Sequence, residues 1–427
     1  MAHVRGLMWV LMASHWFCAY AVRQGLPQLT TFLVAARSLT ATQEAALLTA
    51  FFPGYVCGQV PWGLLARRVG GQRTLGVSLA LTAALVLALP FTASVRGLCA
   101  LIAGVGFCQG ALMPGCSSLQ QHWIGPSRER ALALQVPHMG RKIGSLISAP
   151  TVPMLAASHW QRVPLVWGAA TASIAAVWAA LATETPREWR GPPRMSAAER
   201  DLLRSHEPPP TQSDKGGGLA VLLRLLRSPP ALAVALVHTS AATGLYVLNL
   251  NAPTILTERL GLSAARAGQL LALPPLCDIA GQFVVAAAEG WLAASRPELP
   301  ALAVRRLCVA ASSVLGSCCL LLFAVARTPL FAMAAYCTYA GVAQSLSYSA
   351  FLQNYQEVGG GDVAVLVGLG NTLANIPAVL LPTLGLVLRR RFGGSFAPLF
   401  AVVAALQCSA FGLFFACGAA RPGPRSG

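Results

Sequence analysis

Acidic side chains are scarce in this sequence: 14 Asp and Glu stand among 427 residues, against 31 Lys and Arg. Charged residues of both signs together reach 11%, where a soluble domain carries roughly 25%. A chain this poor in charge cannot cover a water-facing surface, which excludes an ordinary soluble protein. Other absences narrow the function. There is no nucleophile placed beside a base, no glycine loop running into a lysine, and no metal-ligand spacing of cysteine and histidine. The residues therefore give no support for an enzyme, for coupling to ATP, or for a cofactor or metal. The twelve cysteines fall in or at the ends of apolar runs and read as small packing residues.

What is abundant is apolar: 55% of the residues are hydrophobic and the mean hydropathy is +0.60. Apolar stretches long enough to cross a bilayer recur at 6–24, 44–65, 74–94, 97–119, 131–157 and 163–183. Six more lie at 230–256, 266–293, 304–325, 329–352, 363–388 and 396–417. The pattern predicts an all-α membrane protein of twelve transmembrane helices in two six-helix bundles. Residues 1–183 form the N-terminal bundle and 229–420 the C-terminal one, with a linker at 184–228 and a tail at 421–427. The N-terminal stretch reads as the first span of a series rather than as a cleaved leader. In the linker, Ser196-Ala197-Ala198-Glu199 has capping-box spacing and predicts one short surface helix to about residue 205. Two matches support an internal repeat. Gly63-Leu64-Leu65-Ala66 pairs with Gly290-Trp291-Leu292-Ala293 at an offset of 227, and Pro27 with Pro253 at 226.

A formal charge of +17 would suggest nucleic acid in a soluble protein. Here the cations lie between spans. With both termini inside, nineteen basic residues fall on the cytoplasmic face and nine on the other. Arg67, Arg68 and Arg73 flank the Gly70-Gly71 turn after the second span; Arg389 to Arg391 run against the bias. No nucleic-acid partner is expected; the expected partners are the bilayer and a small anionic solute. A coupling ion (proton, sodium or chloride) is the further partner expected, and the chain is expected to act as a monomer.

Few ionisable groups lie inside spans, where an unpartnered charge costs about 2.5–3.5 kcal/mol, so each is a functional candidate. Arg23 near the end of span 1 reads as an anion-binding cation or as an interfacial arginine reaching the surface. Arg141 and Lys142 in span 5 point about 100° apart, so that one faces a cavity with His138, or both sit at its entrance. Asp278 in span 8 pairs with a cation, carries a proton or ties helices; His238 reads as a packed histidine. Tyr246 and Asn249 on span 7, and Asn354 and Asn371 on spans 10 and 11, orient a polar solute or join helices. The balance within the membrane is positive, which favours an anion.

Several stretches resemble one known family. FFPGYVCGQVPWGLLARRVGG, QGALMPGCSSLQQHWIGPSRERALAL, TPREWRGPPRMSAAERDLLRSHE, AVRRL and QNYQEV are similar to the organic-anion (SLC17-type) branch of the major facilitator superfamily. That branch includes vesicular glutamate and nucleotide, sialic-acid and phosphate carriers. The resemblance implies a secondary active or potential-driven transporter of organic anions by alternating access, in a vesicle, organelle or plasma membrane. It implies that Arg23 is the span 1 anion-binding arginine and that Arg67, Arg68, Arg73 and Asp278 serve gating or coupling. Departures are also visible. Leu48 stands where relatives have a span 2 histidine, Gln109 at a span 4 acid, Ile102 at a span 4 arginine, and Ala241 near a span 7 arginine. Arg67 replaces a loop acid. These point away from the familiar proton symport and leave two alternatives: a phosphate or sialate symporter of the branch, or a transport-inactive receptor or scaffold.

Overall fold

The structure is a computed structural model and describes residues 4–125, 129–191, 194–204 and 217–420. Arg128, Lys215, Arg421 and Arg425, counted above for topology, and the 421–427 tail lie outside the described residues. Twelve helical rods appear among the described residues. They are α1 (Val4–Arg37), α2 (Phe51–Val69, entered through Ala41–Thr49), α3 (Gly71–Ala88), α4 (Val95–Gln109, continued as Leu112–Trp123), α5 (Arg130–Ala156) and α6 (Arg162–Leu181). The second series is α7 (Pro229–Thr254), α8 (Leu273–Ser295, preceded by Ala264–Leu270), α9 (Ala301–Val325), α10 (Pro329–Thr338 through Gln344–Gly359), α11 (Val363–Arg391) and α12 (Ala397–Cys417). Eight stretches, one holding both α10 and α11, are long and apolar enough to cross a membrane. The rods outside that set are α1, α2 and α5, which carry Arg23, Arg67, Arg68, Arg141 and Lys142.

Two expectations need correction. α1 does not stop near residue 24 but runs through Pro27 to Arg37. The Thr30 hydroxyl donates to the Leu26 carbonyl (3.0 Å) beside the proline, and Arg37 donates to the Thr92 and Ala93 carbonyls (2.9 and 3.0 Å) while stacking on Trp160. The linker also carries two short helices rather than one. Ala197–Arg204 starts where the capping box placed it, with Glu199 N donating to Ser196 Oγ (3.1 Å). Gly218–Leu226 follows, burying Val221 and Leu225 one turn apart while Leu219 and Leu223 stay exposed.

The chain forms two compact units. The first comprises Met1–Pro126, Val136–Gly218 and Gly361–Gly368; the second comprises Ser127–Gln135, Leu219–Gly360 and Leu369–Gly427. In the first, α2 packs on α4, α3 on α4 and α6, and α1 on α6. Its core gathers Leu26, Leu29, Phe51, Tyr55, Leu98, Ile102 and Trp167. The Gly70-Gly71 turn is real: Gly70 has φ 91°, and the Glu184 carboxylate accepts from Gly71 N (3.0 Å) and Gln72 N (2.7 Å), capping α3 with negative charge. In the second unit, α8 packs on α10, α9 on α10 and α12, and α7 on α12. The order of partners is the same six helices later. Close approach repeats too: a Cβ on Gly54 would overlap the Ala103 carbonyl oxygen of α4, and one on Gly281 the Gly341 carbonyl oxygen of α10. These two glycines are themselves 227 residues apart, the offset the sequence repeat gives.

Candidate functional site

α5 meets α1 backbone to backbone. A Cβ on Gly140 or Gly144 would overlap the carbonyl oxygens of Ala13 or Phe17, so only glycine lets the two helices come this close. That contact sets the side chains around it. His138 of α5 lies 4.7 Å from the Trp16 ring, and the Arg141 guanidinium lies 5.6 Å from the Tyr20 ring. Trp16 stacks on Tyr20 at 5.8 Å, one turn along α1. Lys142 is buried on another side of α5, as adjacent helix positions require.

Arg23, one turn beyond Tyr20, is held by aromatic rings. Its guanidinium carbon lies 4.5 Å from the Tyr55 centroid, 4.9 Å from Phe51, 5.2 Å from Tyr20 and 5.7 Å from Phe52. Nη1 donates to the Tyr20 hydroxyl (3.3 Å). Phe51 and Tyr55 are one turn apart on α2 and stack on each other at 5.5 Å, so one face of that helix supplies two of the four rings. Each cation–π contact contributes about 0.5–1 kcal/mol when exposed and about 2 when desolvated. The rings flank the half-buried guanidinium and restrict its orientation. Tyr20 thus stands between two cations, Arg23 and Arg141, which makes this corner of the first unit electropositive. Phe51, Phe52 and Tyr55 belong to the FFPGY stretch that carries the family resemblance, but neither they nor Tyr20 has a site role legible in the sequence; the Tyr20–Arg23 and Phe51–Tyr55 spacings are the available sign.

Two other candidate positions make contacts within the first unit. Gln109, where the resemblance leads one to expect an acid, donates to the Ala19 carbonyl (3.0 Å) and ties α4 to α1. Arg67 pairs with Asp362 within the first unit at 2.6 Å, both largely buried. Arg68 and Arg73 are exposed.

The remaining candidates lie in the second unit, in separate groups. The Tyr246 hydroxyl donates to Asn375 Oδ1 (3.0 Å), and Asn375 donates to the Asn371 carbonyl (2.7 Å), so α7 and α11 share a polar patch. Asn249 accepts from the Tyr336 hydroxyl. Asn354 lies apart from these, donating to Glu357 (3.1 Å) and to the Ala419 carbonyl (2.8 Å) beyond α12. Asp278 is buried and accepts from Gln282 (3.3 Å). A charge network that sequence reading counted only for topology sits at the ends of α8, α9 and α10. Arg305 reaches Glu289 (3.5 Å), Glu357 (3.2 Å) and Gln353 (2.6 Å), and Gln353 donates to Glu289 (2.6 Å). His238 packs as expected, stacked on Phe351 at 4.3 Å and bonded to the Tyr355 hydroxyl (3.1 Å). No cluster of metal-ligating side chains occurs among the described residues.

Comparison with known proteins adds to this geometry. The Major Facilitator Superfamily signature matches residues 12–382. Human sialin (Homo sapiens) is 26% identical over 354 residues, spanning 81% of this chain and 68% of sialin. Probable anion transporter 3, chloroplastic, of Arabidopsis thaliana is 26% identical over 379 residues, 87% of this chain and 72% of that one. The crystal structure of the E. coli fucose:proton symporter superposes with a TM-score of 0.72 at 15% identity, over 98% of this chain and 100% of that one.

Proposed function

On the premise that the chain belongs to the major facilitator superfamily, with relatives in the anion-transporter branch, we propose that it carries small organic anions by alternating access, with Arg23 as the anion-binding group. The observation that carries the reading is the aromatic cage: four rings hold the Arg23 guanidinium, and Tyr20 shares itself between Arg23 and Arg141. A guanidinium recognises carboxylate or phosphate through two parallel N–H donors, and away from bulk solvent that attraction strengthens. Arg141 adds a second positive charge, which favours an anion over a neutral solute. The second unit has its own polar group, in which the Tyr246 hydroxyl donates to Asn375 and Asn375 donates to the Asn371 carbonyl. Lys142 and His138 adjoin the cationic corner and tune it.

Coupling follows from what Gln109 does. A neutral amide tied to the Ala19 carbonyl takes no proton in exchange, so the driving force is the membrane potential or an accompanying ion rather than proton symport through that position. One elementary charge gains about 2.3 kcal/mol per 100 mV. The test is uptake by the full-length protein in proteoliposomes of labelled glutamate, a nucleotide, sialate and phosphate under potassium–valinomycin potentials. Uptake of at least one anion, driven by an inside-positive potential and competed by other anions, is expected. Uptake competed by cations or neutral sugars instead overturns the reading. Binding of the anion without any uptake would turn it into the receptor alternative.

A further inference from the structure

A second concave site lies in the first unit, on the linker side that the positive-inside pattern assigns to the cytoplasm. It is a cavity of about 800 Å³ whose walls include Arg187, Arg190 and Arg194, from the segment after α6, and Arg200 and Arg204, from the helix Ala197–Arg204. Arg200 and Arg204 are one turn apart and share a helix face. No carboxylate is among the described lining residues. Three acids of the same segments are engaged by backbone amides: Glu184 accepts from Gly71 and Gln72, Glu188 from Glu184 N (3.1 Å), and Glu199 from Arg5 N (2.8 Å). The fourth, Asp201, is exposed and does not line the cavity.

The walls are built rather than incidental. Trp123 Nε1 donates to the Thr183 and Glu184 carbonyls (3.1 and 3.2 Å), pinning the start of the segment, and Trp189 packs edge-on against Trp123 at 6.4 Å. Trp189 and Met195 are buried members of the lining. Five exposed arginines line one open concavity of the size that takes a small ligand. Their mutual repulsion is relieved by a ligand bearing several negative charges, and the planar fork of each is matched to phosphate oxygens.

We infer that this arginine-lined cavity binds a polyphosphorylated anion, a small scaffold bearing several phosphate esters, delivered either as a lipid headgroup or as a soluble ester. None of its lining residues belongs to the Arg23 cluster, so the site works whether or not the transport reading holds.

The full-length protein in detergent is titrated calorimetrically with inositol hexakisphosphate, with inositol trisphosphate, and with short-chain phosphatidylinositol bisphosphate. Saturable binding that weakens as salt rises is expected for at least one of these. The double substitution R200Q/R204Q should weaken it by about tenfold or more, since charge-assisted bonds to two guanidiniums are lost. Both side chains are exposed, and the pair R200K/R204K, which keeps the charge and loses the fork, should fall between the two. Tighter binding of the lipid than of its free headgroup assigns a membrane source; equal affinity assigns a soluble ester. Absence of saturable binding to all three ligands overturns the inference. So does an affinity unchanged in R200Q/R204Q, or competition by inorganic phosphate at equal concentration.

Discussion

Tyr20 touches both guanidinium groups of the cationic corner, so it separates two roles, ring and hydroxyl. Tyr20→Phe keeps the ring faces and removes the hydrogen bond to Arg23 Nη1. It should leave uptake within about threefold of the parent, because a bond as long as 3.3 Å lies at the weak end of the usual net contribution, about 0.5 kcal/mol. Tyr20→Leu removes the ring shared by Arg23 and Arg141 and should raise the apparent KM by about tenfold. Equal behaviour of the two variants would contradict the caging role. Arg67 offers a second residue-scale test. Arg67→Gln leaves Asp362 without its 2.6 Å partner and should cost about 1–3 kcal/mol of stability, read as a lower melting temperature in detergent. The exchange Arg67→Asp with Asp362→Arg should recover part of that loss; if it recovers none, the pair is not what stabilises this contact.

At the scale of helices, the glycines of α2 and α8 carry the closest testable geometry. Gly54→Ala and Gly281→Ala each place a methyl on a neighbouring carbonyl, and each should lower stability by about 1–3 kcal/mol through overpacking. Gly412→Ala in α12 meets open space and should be neutral or slightly stabilising in a thermal melt. Sequence reading found most helices because a span that faces lipid must be uniformly apolar for about 20 residues, and Ala301–Val325 or Ala397–Cys417 can hardly be read otherwise. It missed the α1 extension because Pro27 looks like an end, whereas the distant Thr92 and Ala93 carbonyls that hold Arg37 are invisible along the chain. The helix Gly218–Leu226 was hidden by the polar, proline-rich stretch before it. The π-helical turn Tyr339–Ala343 in α10 left no mark in hydropathy either. Arg23 stood out as an isolated charge in an apolar run. Its cage did not, because Phe51, Phe52 and Tyr55 resemble any other lipid-compatible aromatics until α1 and α2 are brought together. The Arg305–Glu289–Glu357 network was lost for the same reason: its members are 16 and 52 residues from Arg305.

For the molecule as a whole, the repeated packing order of the two units fits a carrier in which one architecture was used twice, and the unequal placement of charge fits a division of labour. The Arg23 and Arg141 corner lies in the first unit, and the second unit has its own polar group at Tyr246, Asn371 and Asn375. If the transported species moves one net charge, each 100 mV of imposed potential should change accumulation at equilibrium by about fiftyfold. Accumulation that ignores potential but follows a proton gradient would remove the role given to Gln109. The most direct test of the account is potential-driven uptake of a labelled organic anion by the Arg23→Ala protein, reconstituted beside the parent and shown by its melting curve to be folded. The account predicts that uptake falls to the level of empty liposomes, with Arg23→Lys recovering only a minor part, since an ammonium lacks the planar fork. Uptake by Arg23→Ala equal to that of the parent would contradict it.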